Sequence, residues 1–362
     1  MRTGTAILPL HGGKCPPWLF SRMKKLAREI SCFIVSEFGE DELLARLSDP
    51  FWFQAFGCVL GFDWHSSGIT TTVCGALKEG LAEISGELGF FVAGGKGKTS
   101  LKTPEEIRRK SEKISLPFSP ELLVRASRLS AKVDSAGVQD GYQLYHHAFF
   151  FTKKGNWAVI QQGMNEATGM ARRYHWHSDK LESFVNDPHL AVCCNSRGST
   201  LNLVAKEGEE NRKLSVELSQ KPPDFLIGKL KKINELSLPA RHEIRLSDIS
   251  ITHLNKIFLK TYEEGVENYE QLLGMKGVGP ATLRSLALIG ELIYDVSASR
   301  RDPARFSFAH GGKDGIPYPV NREDYDRSIE ILHKALLDVK TGRTEKREAL
   351  RRLSIFQKGN IK

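Results

Sequence analysis

Apolar residues recur along the chain first with a helical period. In Pro17–Phe38, Leu19, Met23, Leu26, Ala27, Ile30 and Phe33 fall three or four positions apart with one single step, which predicts an amphipathic helix. Residues 51–59 form an aromatic, apolar run expected to be buried, and residues 73–88 again suit a helix. Thr103, Pro104 and Glu106 read as an N-cap, a first helical residue and a capping-box partner. The pattern changes at residues 138–162. There an aromatic run (143–151), a Lys-Lys-Gly-Asn turn (153–156) and a returning run (157–162) predict a β-hairpin. A polar loop at 207–212 is expected between the apolar runs 201–204 and 214–218. Lys221, Pro222, Pro223 and Asp224 mark a boundary, beyond which the chain reads as helical to about Ile293. The predicted fold class is α+β. It comprises a mixed N-terminal domain (1–220), an all-α domain (224–300), and a glycine-rich loop with a charged helical tail (301–362).

The sharpest local pattern lies inside the all-α region. Leu272 and Leu273 close one apolar run, Gly274 to Gly279 form a glycine turn, and Pro280 suits the first position of a new helix. Leu283, Leu286, Ala287, Gly290 and Ile293 then mark one buried face. The segment resembles the helix-hairpin-helix motif of DNA repair and recombination proteins. That resemblance implies backbone contacts without sequence readout, made here by the amides of Gly277, Val278 and Gly279 with Lys276 and Arg284 nearby.

Composition changes this picture modestly. The 362 residues carry a formal charge of +9, which fits a polyanionic partner. No apolar run has the length of a membrane helix, no signal-peptide layout opens the chain, and six scattered cysteines suggest neither a zinc ribbon nor a disulfide framework. A cytoplasmic protein with reduced cysteines is the expectation.

Candidate chemistry gathers on and after the β-hairpin. Asp140, His146, His147, Gln162, Arg172, Arg173 and His175 are the proposed catalytic set. Asp140 and a histidine suit acid–base work or a shared Mg²⁺ or Mn²⁺, and the arginines suit phosphate. Strand alternation sends His146 and His147 to opposite faces, so only one of them is expected to face a site. Asp63 and His65 are further candidates, and the threonines at 70–72 are expected to cap a helix. His11, Lys14, His310 and Lys313, in a repeated His-Gly-Gly-Lys, are phosphate-binding candidates. So are Lys96 and Lys98 in a basic glycine-rich loop expected to be flexible.

Several templates fail in part. A nuclease acid before a hairpin is present in Asp140, but the return strand lacks the Glu-x-Lys. His175, His177 and Asp179 begin a metallo-hydrolase pattern that Lys180 breaks. A Walker loop would need glycine where Val92 stands. A glycosylase would place an Asp later than Asp295, or a lysine where Ala281 stands.

Across nearly its full length the chain resembles an uncharacterised family of archaeal and bacterial proteins defined as a domain of unknown function. The resemblance rests on residues 2–6 with 11–14, on 61–72, 139–150 and 157–164, and on 171–176. It implies no activity. The functional expectation is therefore a DNA-binding protein acting as a metal-dependent, structure-directed or single-strand nuclease in repair, with no nucleotide cofactor. The alternatives are a non-catalytic DNA-binding scaffold, an RNA-processing enzyme and, more distantly, a base-excision glycosylase.

Overall fold

The computed structural model describes residues 8, 10, 15–62, 66–112, 114, 116–194, 197, 198, 200–234, 251–304, 330, 334, 337 and 349–351. Its centre is an antiparallel sheet. The strands are β1 (Phe90–Lys96), β3 (Gln143–Thr152), β4 (Trp157–Asn165), β5 (Met170–His177) and β6 (Ala191–Cys193), side by side in that order. A short pair, β2 (Val138–Gln139) and β7 (Leu201–Asn202), stands apart.

Helices cover both faces of the sheet. On one lie α1 (Pro17–Phe38), α2 (Glu40–Ser48), α3 (Pro50–Leu60) and α4 (Gly68–Gly80), packed on Phe90, Val92, Ala148, Phe150, Ala158 and Ile160. A short helix, α5 (Ser85–Leu88), leads into β1. On the other face lie α6 (Thr103–Ser111), α7 (Pro120–Lys132), α8 (Glu209–Ser219), α9 (Pro223–Asn234), α10 (Ile251–Glu264), α11 (Tyr269–Gly274) and α12 (Pro280–Tyr294). α6 and α7 lie against the sheet, and the helices share one apolar cluster with Phe91, Phe149, Phe151, Trp157, Val159 and Trp176. Double coverage explains why the aromatic run at 149–151 is continuous: successive side chains alternate between two cores rather than between core and water.

The protein is thus α+β, and the hairpin and first helix stand where the pattern predicts them. The apolar cluster on the second face runs through the boundary at 221–224, since Val216, Leu218, Leu226 and Leu230 share it with Phe149 and Trp176. Among the described residues no helix is long and apolar enough to cross a membrane.

Tertiary contacts overrode four local expectations. The helix expected at 73–88 begins at Gly68 and breaks after Gly80. Glu106 does not close a capping box. It accepts from the Gly94 amide at 3.1 Å and pairs with Lys78, while Thr103 donates to the Ser100 carbonyl. The basic glycine-rich loop is instead the end of β1 and a 3₁₀ turn (Gly97–Lys102). Gly94 sits there at φ 88°, and a Cβ on it would lie 2.2 Å from the His147 carbonyl oxygen. Only glycine fits that approach. The expected polar loop at 207–212 is largely the first turn of α8.

Candidate functional site

The seven candidate catalytic residues do not form one site. Six are buried and the Asp140 side chain is 1% exposed; strand alternation divides those on the strands between the two faces. His146, Gln162, Arg173 and His175 point toward α1–α4. His147, Asp140 and Arg172 belong to the opposite side, where their partners lie.

His147 enters a closed hydrogen-bonded chain. Its Nδ1 lies 2.9 Å from Gln161 Oε1, an oxygen that can only accept, so Nδ1 carries the proton. Nε2 then accepts from the Ser127 hydroxyl at 2.9 Å. Gln161 Nε2 donates to Asp134 Oδ2 at 2.5 Å, and the Trp176 indole donates to the same oxygen at 3.0 Å. His189 Nε2 meets Asp134 Oδ1 at 2.5 Å. Asp134 itself sits in a single π-turn (Val133–Gly137) that continues α7. Burial pushes its carboxyl up against the opposing pull of His189, and burial pulls His147 down to about 4. Every side chain of the network is at most a few per cent exposed and is partnered, so it fixes α7 and the loop that carries His189 to the sheet.

Asp140 takes part in a second cluster. Arg172 Nη1 donates to Asp140 Oδ2 at 2.8 Å, and the Tyr174 hydroxyl donates to the same oxygen at 2.8 Å. The Arg172 fork also holds Asp302, at 3.0 and 2.9 Å, and its guanidinium lies 4.5 Å from the Tyr142 ring centroid. Asp302 is fixed in turn by the amides of Gly198 and Ala304. Burial raises the Asp140 carboxyl, whereas the Arg172 fork lowers that of Asp302 against its own burial. The expected Asp140–histidine pair is not formed, because Asp140 precedes the strand and is drawn to β5.

The other face is different in kind. Burial holds His146 down at about 3, and among the described residues neither ring nitrogen has a hydrogen-bond partner. Gln162 Oε1 likewise lacks one. His175, pulled well down by burial and by Arg173, packs edge-on to Phe53. Arg173 donates to Gln54 at 2.9 Å, lies over Phe53, and is lowered by burial to about 10. Among the described residues no group of three or more His, Cys, Asp and Glu gathers to hold a metal.

The segment that resembles a helix-hairpin-helix consists of α11, a turn through Gly277 at φ 99°, and α12 opening on Pro280. One expectation is corrected. The Val278 amide turns inward to the Met275 carbonyl at 3.2 Å, and Val278 is buried. The amides of Gly277 and Gly279 meet no acceptor among the described residues, and no side chain caps α12. Lysines brace the turn from behind. Lys260 donates to the Lys276 carbonyl at 3.0 Å, and Lys132 donates to that of Val278. Lys276 is exposed, and Arg284 donates to Gln139 at 2.7 Å.

Lys96 and Lys98 are exposed at the end of β1. His11, Lys14, Asp63, His65, His310 and Lys313 lie outside the described residues, as does most of the expected tail. Sequence reasoning missed Ser127, Asp134, Tyr145, His189 and Asp302. Each matters through a partner distant in the chain, so no local pattern marks it.

No curated protein and no solved structure matches the chain. A family model does, over residues 4–320, in accord with the full-length resemblance. The chain belongs to the family described as protein of unknown function (DUF763).

Proposed function

We propose that the protein binds DNA through its sugar-phosphate backbone, using the hairpin at 275–279 as anchor. One observation carries this reading: two amides without acceptors, at Gly277 and Gly279, sit at an uncapped helix start beside cationic side chains. Such an end favours an anion by its amides and by the helix dipole. Backbone contacts give affinity without sequence preference.

A second reading adds strand cleavage in repair, and one contact favours it. Gln139 donates to the Pro280 carbonyl at 3.0 Å and accepts from Arg284, so the hairpin helix is tied to the residue before Asp140. A strand held on the hairpin would lie beside the Asp140–Arg172–Asp302 cluster. Cleavage there requires Arg172 to exchange the Asp302 carboxylate for a phosphate.

The test is binding and cleavage of labelled single-stranded, duplex and forked DNA across a salt series, with Mg²⁺, Mn²⁺ or EDTA. Lys276→Ala should weaken binding uniformly across sequences and reduce the salt slope by about one. Binding that ignores both salt and Lys276→Ala would refute the anchor. Cleavage abolished by Asp140→Asn would establish the second reading. Tight binding without turnover on any substrate would leave a DNA-binding scaffold. An all-RNA strand of the same sequence separates DNA from RNA preference.

A further inference from the structure

The sheet face toward α1–α4 holds polar atoms that the fold itself does not use. His146 and Gln162 stand directly opposite one another on β3 and β4, at 1% and 0% exposure. The register slips between Leu144 and His146, so Tyr145 is an extra residue in the bulge. Bulges re-aim side chains, and here the Tyr145 hydroxyl meets Gln162 Nε2. The same Nε2 donates to the Ser67 carbonyl at 2.9 Å, which fixes the amide orientation. That leaves Gln162 Oε1 and both nitrogens of His146 without partners among the described residues. Each such buried atom costs about 1–3 kcal/mol if nothing meets it.

We propose that this bulged end of the sheet binds a phosphate group, with His146 and Gln162 as its floor and Tyr145 and Lys96 as its mouth. Lys96 pairs with His146 in the β1–β3 register, is exposed, and carries its ammonium 5.7 Å from the Tyr145 ring centroid. The N-terminal end of α4 touches Gln162 through Ser67 and adds partial positive charge. Lys96, the Tyr145 hydroxyl and one His146 N–H are donors. Gln162 Oε1 and the other His146 nitrogen are acceptors. A singly protonated phosphate answers both sets, because its bare oxygens accept and its P–O–H donates. A metal cation would meet Lys96. Sulfate has no proton for the two acceptors.

The experiment is titration calorimetry on the full chain at about pH 6, where a phosphate ester still holds a proton for much of the time. Inorganic phosphate, sulfate, and an oligonucleotide with either a 5′-phosphate or a 5′-hydroxyl are the probes. Phosphate should bind about tenfold or more tightly than sulfate. Lys96→Ala and Tyr145→Phe, at an exposed and a half-buried position, should each weaken it by about tenfold, the loss of one charge-assisted or buried hydrogen bond. Imidazole nitrogen NMR signals that vanish in His146→Leu should shift on phosphate addition in the wild type. Phosphate binding that equals sulfate binding, or that neither variant weakens, would overturn the site, as would unmoved His146 signals.

The oligonucleotide pair separates the sources. A 5′-phosphate advantage lost in Lys96→Ala assigns the group to a nucleic-acid end, whereas Lys96-dependent binding of inorganic phosphate alone assigns it to the free ion. Lys276→Ala should weaken both oligonucleotides alike while leaving inorganic phosphate binding, the 5′-phosphate advantage and the His146 signals unchanged, so failure here is distinct from failure of the hairpin anchor.

Discussion

His146 and His147 are neighbours in the chain and opposites in the fold. His147 faces α7, where both ring nitrogens are engaged in a chain ending at Asp134, Trp176 and His189. His146 faces α1–α4, and neither nitrogen is engaged by a described residue. Both are buried and both are held neutral near pH 7. The difference teaches that burial of a polar residue says little about its role until its partners are counted. A closed network is cement, whereas an open one is matched to something the chain does not supply.

The largest effect should come from opening the closed side. Asp134→Ala removes the acceptor of three N–H groups and should cost about 3 kcal/mol or more in chemical denaturation. A loss below about 1 kcal/mol would mean that water or rearrangement replaces the carboxylate and that the network is not structural.

The paired substitution sharpens the contrast directly. His147→Leu should cost about 2 kcal/mol because Ser127 and Gln161 lose their partner. His146→Leu, in phosphate-free buffer, should be neutral or stabilising by up to about 1 kcal/mol. Equal losses at both positions would erase the distinction between the faces.

Gly94→Ala tests the shared edge. Its φ of 88° and the 2.2 Å approach of the His147 carbonyl both reject a Cβ. A loss of about 1–3 kcal/mol is expected by thermal or chemical denaturation.

The smallest effect is one of pH. The folded pKa of His146 is about 3 and that of His147 about 4, both below the ordinary 6.5. The unfolded chain therefore binds more protons, and stability is full above about pH 6.5 and falls as pH drops toward 4. Asp134 and Asp140 are shifted upward and act in the opposite sense above their ordinary 3.8, so the comparison must be between variants. His146→Leu should flatten the wild-type slope between pH 6.5 and 4 by up to one proton. An unchanged slope would show that His146 is protonated in the folded protein.

Much of the architecture was legible because it is written at short range. The helical spacing of Leu26, Ala27 and Ile30, the hairpin turn around Gly155, and the glycine turn before Pro280 each specify their element locally. The division of His146 from His147 also follows from strand alternation alone. What the pattern could not show was that both faces are covered, so the expected single site became two buried clusters. Asp140 was legible as a candidate, but its partners Arg172, Tyr174 and Asp302 are settled by the strand order and by a segment more than a hundred residues away.

The sequence by itself determined the α+β class, the family, the glycine turn before Pro280, and which polar residues to watch. Periodicity, turn chemistry and wording are properties of neighbouring residues, and neighbours are what a sequence records. Only the tertiary structure decided which polar atoms are answered. The bulge at Tyr145 is set by pairing between strands, and Asp134 in its π-turn is met by side chains from β4, β5 and the loop before β6. Hydrogen-bond satisfaction is a relation across space, and it separates the closed face of this sheet from the open one.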